Sequence, residues 1–374
     1  MATHRMLSGA TLGAVLLLSA TFPSDVIHPA TATEERPTSK PESAADEGFV
    51  PLFNGRDLQG WVNVNCHPNT FFVKNGEIIT TGQPTGFLRT ERMYENFILD
   101  VEWMHVNKKD IANSGIFVWG DPLPAVGTPY TRAIEVQVLI NYPKVDWATN
   151  HGDVFAIHGA RCVPDRPHPR GYMRCLPSEE RVKGGGEWNH YRIIAKDGAI
   201  KLHVNGKEVS GVSQCIPRKG YLALESEGAE CHFKNIRIKE LPSSHPKPEE
   251  VAQTWQGHVS IFNGLTLEGW KTDNGQWKVS GGSLISTGNV PLRSAATYGP
   301  GELLFDWRLP ANSLQRQWHL TIGDARYEVQ IPAEEKADPW RRHIIRTNSQ
   351  GPITFHPVTG LQLMNLFWKP SPSK

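Results

Sequence analysis

The run Ile134-Glu135-Val136-Gln137-Val138 sets a carboxylate beside an amide, because alternate residues of an extended strand point to opposite faces. The branched apolar residues share one face, which leaves Glu135 and Gln137 together on the other. On the concave face of a sandwich such a pair suits sugar hydroxyls, since one group only accepts hydrogen bonds and the other both donates and accepts. The competing expectation is a polar strand face that is merely wet. His151-Gly152-Asp153-Val154-Phe155-Ala156-Ile157-His158-Gly159 brings two histidines and an aspartate into one short glycine-bearing stretch. Histidine serves as a base or metal ligand near neutral pH. No third or fourth ligand stands at a recognised metal spacing, so loop structure is the simpler reading and a divalent metal stays an open alternative.

Other candidates are more ambiguous. Asn113-Ser114-Gly115-Ile116 reads as a turn feeding a strand, where Asn113 either binds a ligand or closes the turn on its own backbone. Trp119, at the end of that strand, stacks on a sugar ring or is buried as core. His190 opens a meander, and Arg89 and Glu225 stand in strand-like settings where they orient a substrate or form a surface ion pair. A serine-hydrolase elbow, a phosphate-binding glycine loop and an H-E-x-x-H helix are all missing from the sequence. Retaining glycosidases need two carboxyl groups roughly 5 Å apart. Gln137 follows Glu135, so that pair is not evident on this strand.

The elements that must position these residues read as strands. Phe97, Leu99, Val101 and Trp103 alternate with Ile98, Asp100, Glu102 and Met104, the period of a half-buried strand. Asp197-Gly198 and Asn205-Gly206 each lie between β-type runs and predict a meander of hairpins. No long segment has the period of an amphipathic helix.

A chain of 374 residues exceeds what one core usually supports. Its 39 lysines and arginines against 38 acidic residues give no field that would draw nucleic acid. His4 and Arg5, an apolar run from Met6 to Ala20 and the small residues Ala30-Thr31-Ala32 predict a secretory signal cleaved after Ala32, hence a periplasmic or extracellular protein. No segment is apolar and long enough to span a bilayer. Polar stretches at 33–47 and 242–256 predict a disordered leader and an interdomain linker. The cysteines are Cys66, Cys162, Cys175, Cys215 and Cys231, and export would permit bridges such as Cys162–Cys175 across a proline-rich loop.

An internal repeat fixes the organisation. Phe53-Asn54-Gly55-x-x-Leu58-x-Gly60-Trp61 returns as Phe262-Asn263-Gly264-x-x-Leu267-x-Gly269-Trp270. In the same order, Leu88-Arg89 matches Leu292-Arg293, Glu102-Trp103 matches Asp306-Trp307, and Glu135-Val136-Gln137 matches Glu328-Val329-Gln330. Trp188 matches Trp340, and the segment from Asn235 matches that from Asn365. The second copy is shorter by loops and lacks counterparts of Asn113–Ile116 and His151–Gly159. An accessory role without turnover is therefore expected for it.

Phe-Asn-Gly-x-x-Leu-x-Gly-Trp at 53–61, Asn-Ser-Gly-Ile at 113–116, Glu-Val-Gln at 135–137, Gly-Glu-Trp-Asn at 186–189 and Asn-Ile-Arg-Ile at 235–238 together resemble the 3-keto-disaccharide hydrolase family. The resemblance covers residues 48–241, with a degenerate copy at 257–370. It implies an all-β chain of two concanavalin A-like jelly-roll sandwiches in tandem, the second shortened. It further implies cleavage of a small carbohydrate, a glycoside oxidised to a ketone at carbon 3. A base removes the acidified hydrogen on carbon 2, and the enolate expels the group on carbon 1. Glu135 or His158 is the expected base, with Asn113, Gln137 and His151 positioning or holding the oxyanion. Trp119, Asp153, His190, Arg89 and Glu225 complete the expected substrate contacts. The rival expectations are a lectin-like sugar binder and an adhesion protein.

Overall fold

The computed structural model describes residues 47–372 apart from 144, 149, 150 and 274. The signal at 1–32 and all but the end of the leader lie outside the described residues. Residues Gly48–Lys374 form one compact unit. Within it, strands alternate with turns almost without interruption, and among the described residues the one helical element is a single 3-10 turn at Pro248–Glu250.

Two sandwiches follow one another along the chain. The first pairs a nine-stranded sheet with a seven-stranded one, and the second pairs a six-stranded with a five-stranded sheet. All named strand pairs are antiparallel, as short strands linked by tight turns permit. Phe97, Leu99, Val101 and Trp103 are buried as their alternation requires, packing with Tyr191 and Phe233 in the first core. Asp197-Gly198 and Asn205-Gly206 all adopt positive φ, which lets each close a two-residue hairpin in the meander Asn189–Lys196, Ala199–Val204, Lys207–Ile216.

The second sandwich repeats the strand order of the first with pieces removed. Its large sheet has no counterparts of the strands Arg161–Pro164, Ala199–Val204 and Lys207–Ile216, and its small sheet has none of Val154–Ile157 and Arg174–Cys175. The long connection at 121–132 is reduced to the turn Gly323-Asp324 between Gln317–Ile322 and Ala325–Gln330. Register refines one sequence match. Leu88, Leu224, Ile116 and Val136 form one row across the first small sheet, whereas Leu292, Phe355, Leu320 and Tyr327 form it in the second. Glu328-Val329-Gln330 thus lies two residues further along than 135–137. Glu328 is exposed and pairs with Arg326 at 2.6 Å.

The segment after Leu241 runs pinned along the first sandwich. Ser243 and Ser244 donate to the Glu95 carboxylate at 2.7 Å, Arg218 pairs with Glu250 at 3.0 Å, and the Gln253 amide donates to Asp121 at 2.8 Å. A third apolar cluster then fuses the sandwiches, with Phe87, Phe117 and Ala223 of the first against Leu304 and Phe367 of the second. All five cysteines are buried free thiols, so the Cys162–Cys175 bridge that export would permit is not formed. Burial raises the thiols of Cys66, Cys162, Cys215 and Cys231, which makes them inert core groups.

Because the fused cluster belongs to both sandwiches, Leu304→Ala should lower the midpoint of a single urea transition, at a cost of about 2–5 kcal/mol. Two separate transitions in the wild-type chain would contradict a common unit.

Candidate functional site

The strand Ala133–Ile140 places Ile134, Val136 and Val138 in the first core, each fully buried. Glu135 and Gln137 therefore face away from that core, as alternation dictates. They line a cavity of about 330 Å³ on the outer face of the seven-stranded sheet. Asn113, Glu225 and Glu227 enter it from the neighbouring strands, Tyr130 and His158 from connecting loops, and Arg174 from the far edge. Tyr142, Trp147 and Phe155 supply apolar surface beside these polar groups, a combination that suits a small ligand.

Gly115 governs how the acids meet. A Cβ there would stand 2.8 Å from Glu225 Oε2 and 3.0 Å from Glu135 Oε1, so only glycine lets both carboxyl groups fold over this strand. Burial, and then the neighbouring Glu227, raise Glu135 to about 8 against a countervailing pull from Arg174. Burial followed by the charges of Glu135 and Glu227 drives Glu225 well above the usual carboxylate range. No N–H or hydroxyl donor reaches the Glu225 oxygens among the described residues. Its nearest polar neighbours are acceptors, so Glu225 holds its own proton near neutral pH.

Glu227, unlike Glu225, is an acid fixed by donors. Asn113 Nδ2 donates to its Oε2, and the Tyr130 hydroxyl donates to its Oε1 at 2.7 Å. Asn113 is itself held by Gln137, whose Nε2 donates to Asn113 Oδ1 at 2.7 Å. Asn113 and Gln137 thus act as one relay that orients Glu227. Arg174 lies 3.6 Å from the Phe155 ring centre and pairs with the fully buried Asp153 at 3.3 Å. This sets one fixed positive charge beside the acids. His158 has φ +48 and stacks on Tyr130 at 5.3 Å between ring centres. Burial lowers its pKa, so the imidazole is neutral near pH 7.

The structure gathers Glu135, Gln137, Asn113, Glu225 and His158 in one cavity and disperses the other expected residues. Asp153 sits behind Arg174 rather than in the cavity. Trp119 faces the core, donates from Nε1 to the Glu95 carbonyl at 2.8 Å and meets Phe97 edge-on; alternation from Phe117 would turn it outward, but its φ of +57 at a shift in strand register swings it to the apolar side. His151 is buried behind the sheet and accepts from the Arg181 and Val182 amides at 3.1 and 3.2 Å. Burial lowers it to about 4, so it serves as a neutral acceptor holding that loop. His190 belongs to the nine-stranded sheet, 3.5 Å from Asp100, on the wrong layer. Arg89 is neither a ligand group here nor a surface ion pair. It is buried in a different cavity between the sandwiches, donates to the Pro122 and Thr90 carbonyls, and stacks on Tyr221 and Trp255.

Glu227, Arg174 and Tyr130 escaped the sequence reading. Glu227 had a signal, since it stands two positions after Glu225 and the strand period puts both on one face. Arg174 stands in a two-residue edge strand and Tyr130 in a loop, neither long enough in period to read. Among the described residues, no group of three His, Cys, Asp or Glu is arranged to hold a metal ion.

Several solved structures share similarity with about half of this chain. A candidate glycosyl hydrolase of Parabacteroides distasonis ATCC 8503 is 23% identical, with 53% of this chain and 96% of that one covered at a TM-score of 0.43. The carbohydrate-binding module CBM66 from Bacillus subtilis is 12% identical over 48% of this chain and 96% of its own, at a TM-score of 0.31. The β-glucanase of Bacillus licheniformis is 15% identical over 52% and 97%, at a TM-score of 0.33. No curated protein matches the chain. The family model described as a 3-keto-alpha-glucoside-1,2-lyase-like domain matches residues 48–239, just over half of the sequence, and the chain belongs to that family.

Proposed function

We propose that the first sandwich cleaves 3-keto-glycosides by elimination, with Glu135 as base and Glu225 as acid. The observation that carries this reading is the pair of buried carboxyl groups folded over Gly115 beside the Arg174 guanidinium. Two acids whose surroundings give them different proton affinities divide naturally into acid and base. The carboxylate of Glu135 takes the proton from carbon 2, which the adjacent ketone has acidified. The electron pair becomes an enolate, and Arg174 stabilises its oxygen. Collapse of the enolate forms the carbon 1–carbon 2 double bond and breaks the bond from carbon 1 to the leaving oxygen. Glu225 gives its proton to that oxygen. The products are an enone sugar and the free alcohol, and later addition of water to the enone would complete a net hydrolysis. The lyase-like description of the family supports this order.

His158, the other base foreseen, lies on the rim against Tyr130 and suits a role in shaping the pocket mouth. A second reading is a sugar-binding module. It is favoured by the raised Glu135, which would leave both acids protonated at neutral pH and able to donate to hydroxyls without turnover. The N-terminal sequence supports export, which fractionation of cells and medium would check.

Turnover of a 3-keto-glucoside, followed by the ultraviolet absorbance of the conjugated enone, should fall roughly 10²- to 10⁴-fold in Glu135→Gln while binding persists. Binding without enone formation by the wild-type chain would favour the binding module instead. The base must be ionised, so kcat/KM should rise with pH to a plateau above about 8 and decline again once Glu225 loses its proton. Stability has the opposite sign. A carboxyl raised from its ordinary 4.5 to about 8 contributes stability that is complete below 4.5 and is lost as pH climbs through about 8. Thermal midpoints of wild type should therefore drop over that window, and those of Glu135→Gln should drop less.

A further inference from the structure

The second sandwich meets the first through a polar cluster as well as through its apolar patch. Asp306, fully buried on the strand Gly301–Arg308, accepts from Arg342 Nε and Nη2 at 2.8 and 2.9 Å and from Asn365 Nδ2 at 2.8 Å. All three side chains then reach across to one segment of the first sandwich. Asp306 Oδ2 accepts from the Gly127 amide at 3.0 Å, Arg342 Nη2 donates to the Pro124 carbonyl at 2.8 Å, and Asn365 Nδ2 donates to the Thr128 carbonyl at 2.8 Å. Gly127 adopts φ +70, and a Cβ there would lie 2.2 Å from Trp340 Cγ, so the segment is seated against the second sandwich without slack.

That segment carries Tyr130. The Ala125 amide donates to the Tyr130 carbonyl at 2.8 Å, and the Tyr130 amide donates to Thr128 Oγ1 at 2.8 Å, so fixing 124–128 fixes residue 130. Tyr130 in turn donates to Glu227 and covers His158. The first sandwich contains a counterpart of the cluster, Asn235 donating to Glu102 at 2.9 Å, but there Asn235 is exposed. The cluster is therefore an inherited element of the strand pair, and only the second copy applies it to the neighbouring loop.

We propose that Asp306, Arg342 and Asn365 are positioning residues for the site of the first sandwich, acting through the 121–131 loop to set Tyr130 against Glu227 and His158. The inference rests on the reading of that cavity as the working site, and it makes the shortened copy a required part of the site rather than an appendage. Small displacements of a positioning group are costly to a preorganised pocket.

The test uses the full-length chain and the variants Asn365→Ala, Asp306→Asn, Tyr130→Phe and Asp306→Asn/Tyr130→Phe. Asn365→Ala leaves the Asp306–Arg342 pair in place and serves should Asp306→Asn fail to fold. Two readouts need no turnover: hydrogen exchange of the Gly127 amide, and the titration of the His158 ring followed by NMR. The expected result is faster exchange at Gly127 and a His158 titration moved up toward its ordinary range in each folded variant of the cluster. On a 3-keto-glucoside, Asp306→Asn and Tyr130→Phe should each lose roughly tenfold in kcat/KM, and the double variant should be no worse than the weaker single one, as expected of residues acting through one path. An unchanged His158 titration with unchanged Gly127 exchange would overturn the inference. So would losses that multiply in the double variant. If the two spectroscopic shifts occur while wild type turns over no keto-glucoside, the positioning stands and the proposed reaction is what fails.

Discussion

Burying two carboxyl groups against each other in an apolar wall is the constraint on which the rest of this site depends. Ionising both would cost far more than a small pocket can recover, so one proton must stay. The fold accommodates this with three devices. Gly115 leaves room for the acids to converge, Arg174 supplies one compensating charge, and the Asn113–Gln137 relay with Tyr130 supplies Glu227 with donors that the other two acids lack. The raised proton affinities follow from this shortage of donors around Glu135 and Glu225. They also explain why Asp153 lies one step behind, where it anchors Arg174 without adding a fourth acid to the cavity.

Strand period made the centre of the site legible. Ile134, Val136 and Val138 could only be satisfied by a core, which turned Glu135 and Gln137 outward into the hollow, and the doubled motif at Phe53 and Phe262 announced the second sandwich. Sequence spacing said nothing about which of two layered sheets a strand joins, so His190 looked as eligible as Glu225 although it sits on the other layer. Trp119 failed for a related reason, since an indole at a strand end satisfies a core as readily as a ligand. Arg174 was illegible because a two-residue edge strand shows no period, and Tyr130 because loops place side chains through tertiary contacts. For Tyr130 those contacts come from residues more than 170 positions away, such as Asp306.

The losses in the second copy have a common logic. Removing the edge strands and the long connection strips away every segment that supplies Tyr130, His158 and Arg174 to the first copy, and leaves Glu328 open to solvent beside Arg326. What survives is the framework and the outer face of the large sheet. On that face Leu304 and Phe367 replace the positions that Asp100 and Arg237 hold in the first copy, where Asp100 is bonded to Arg192 and Arg237. An ion-pair network in one copy has become an adhesive apolar patch in the other.

The back of one sandwich therefore sits on the front of its neighbour, a head-to-tail contact that no twofold axis relates. Such contacts can in principle propagate into a filament, because the donor and acceptor surfaces differ. The two faces left outward differ from the pair that meets. The two-residue turn Gly323-Asp324 leaves the second front with no loop for a further back to grip, and the charged Asp100 cluster denies the first back the grease needed to mount another front. Lengthening that turn while neutralising that cluster would be the two changes that make the outward faces resemble the pair in contact.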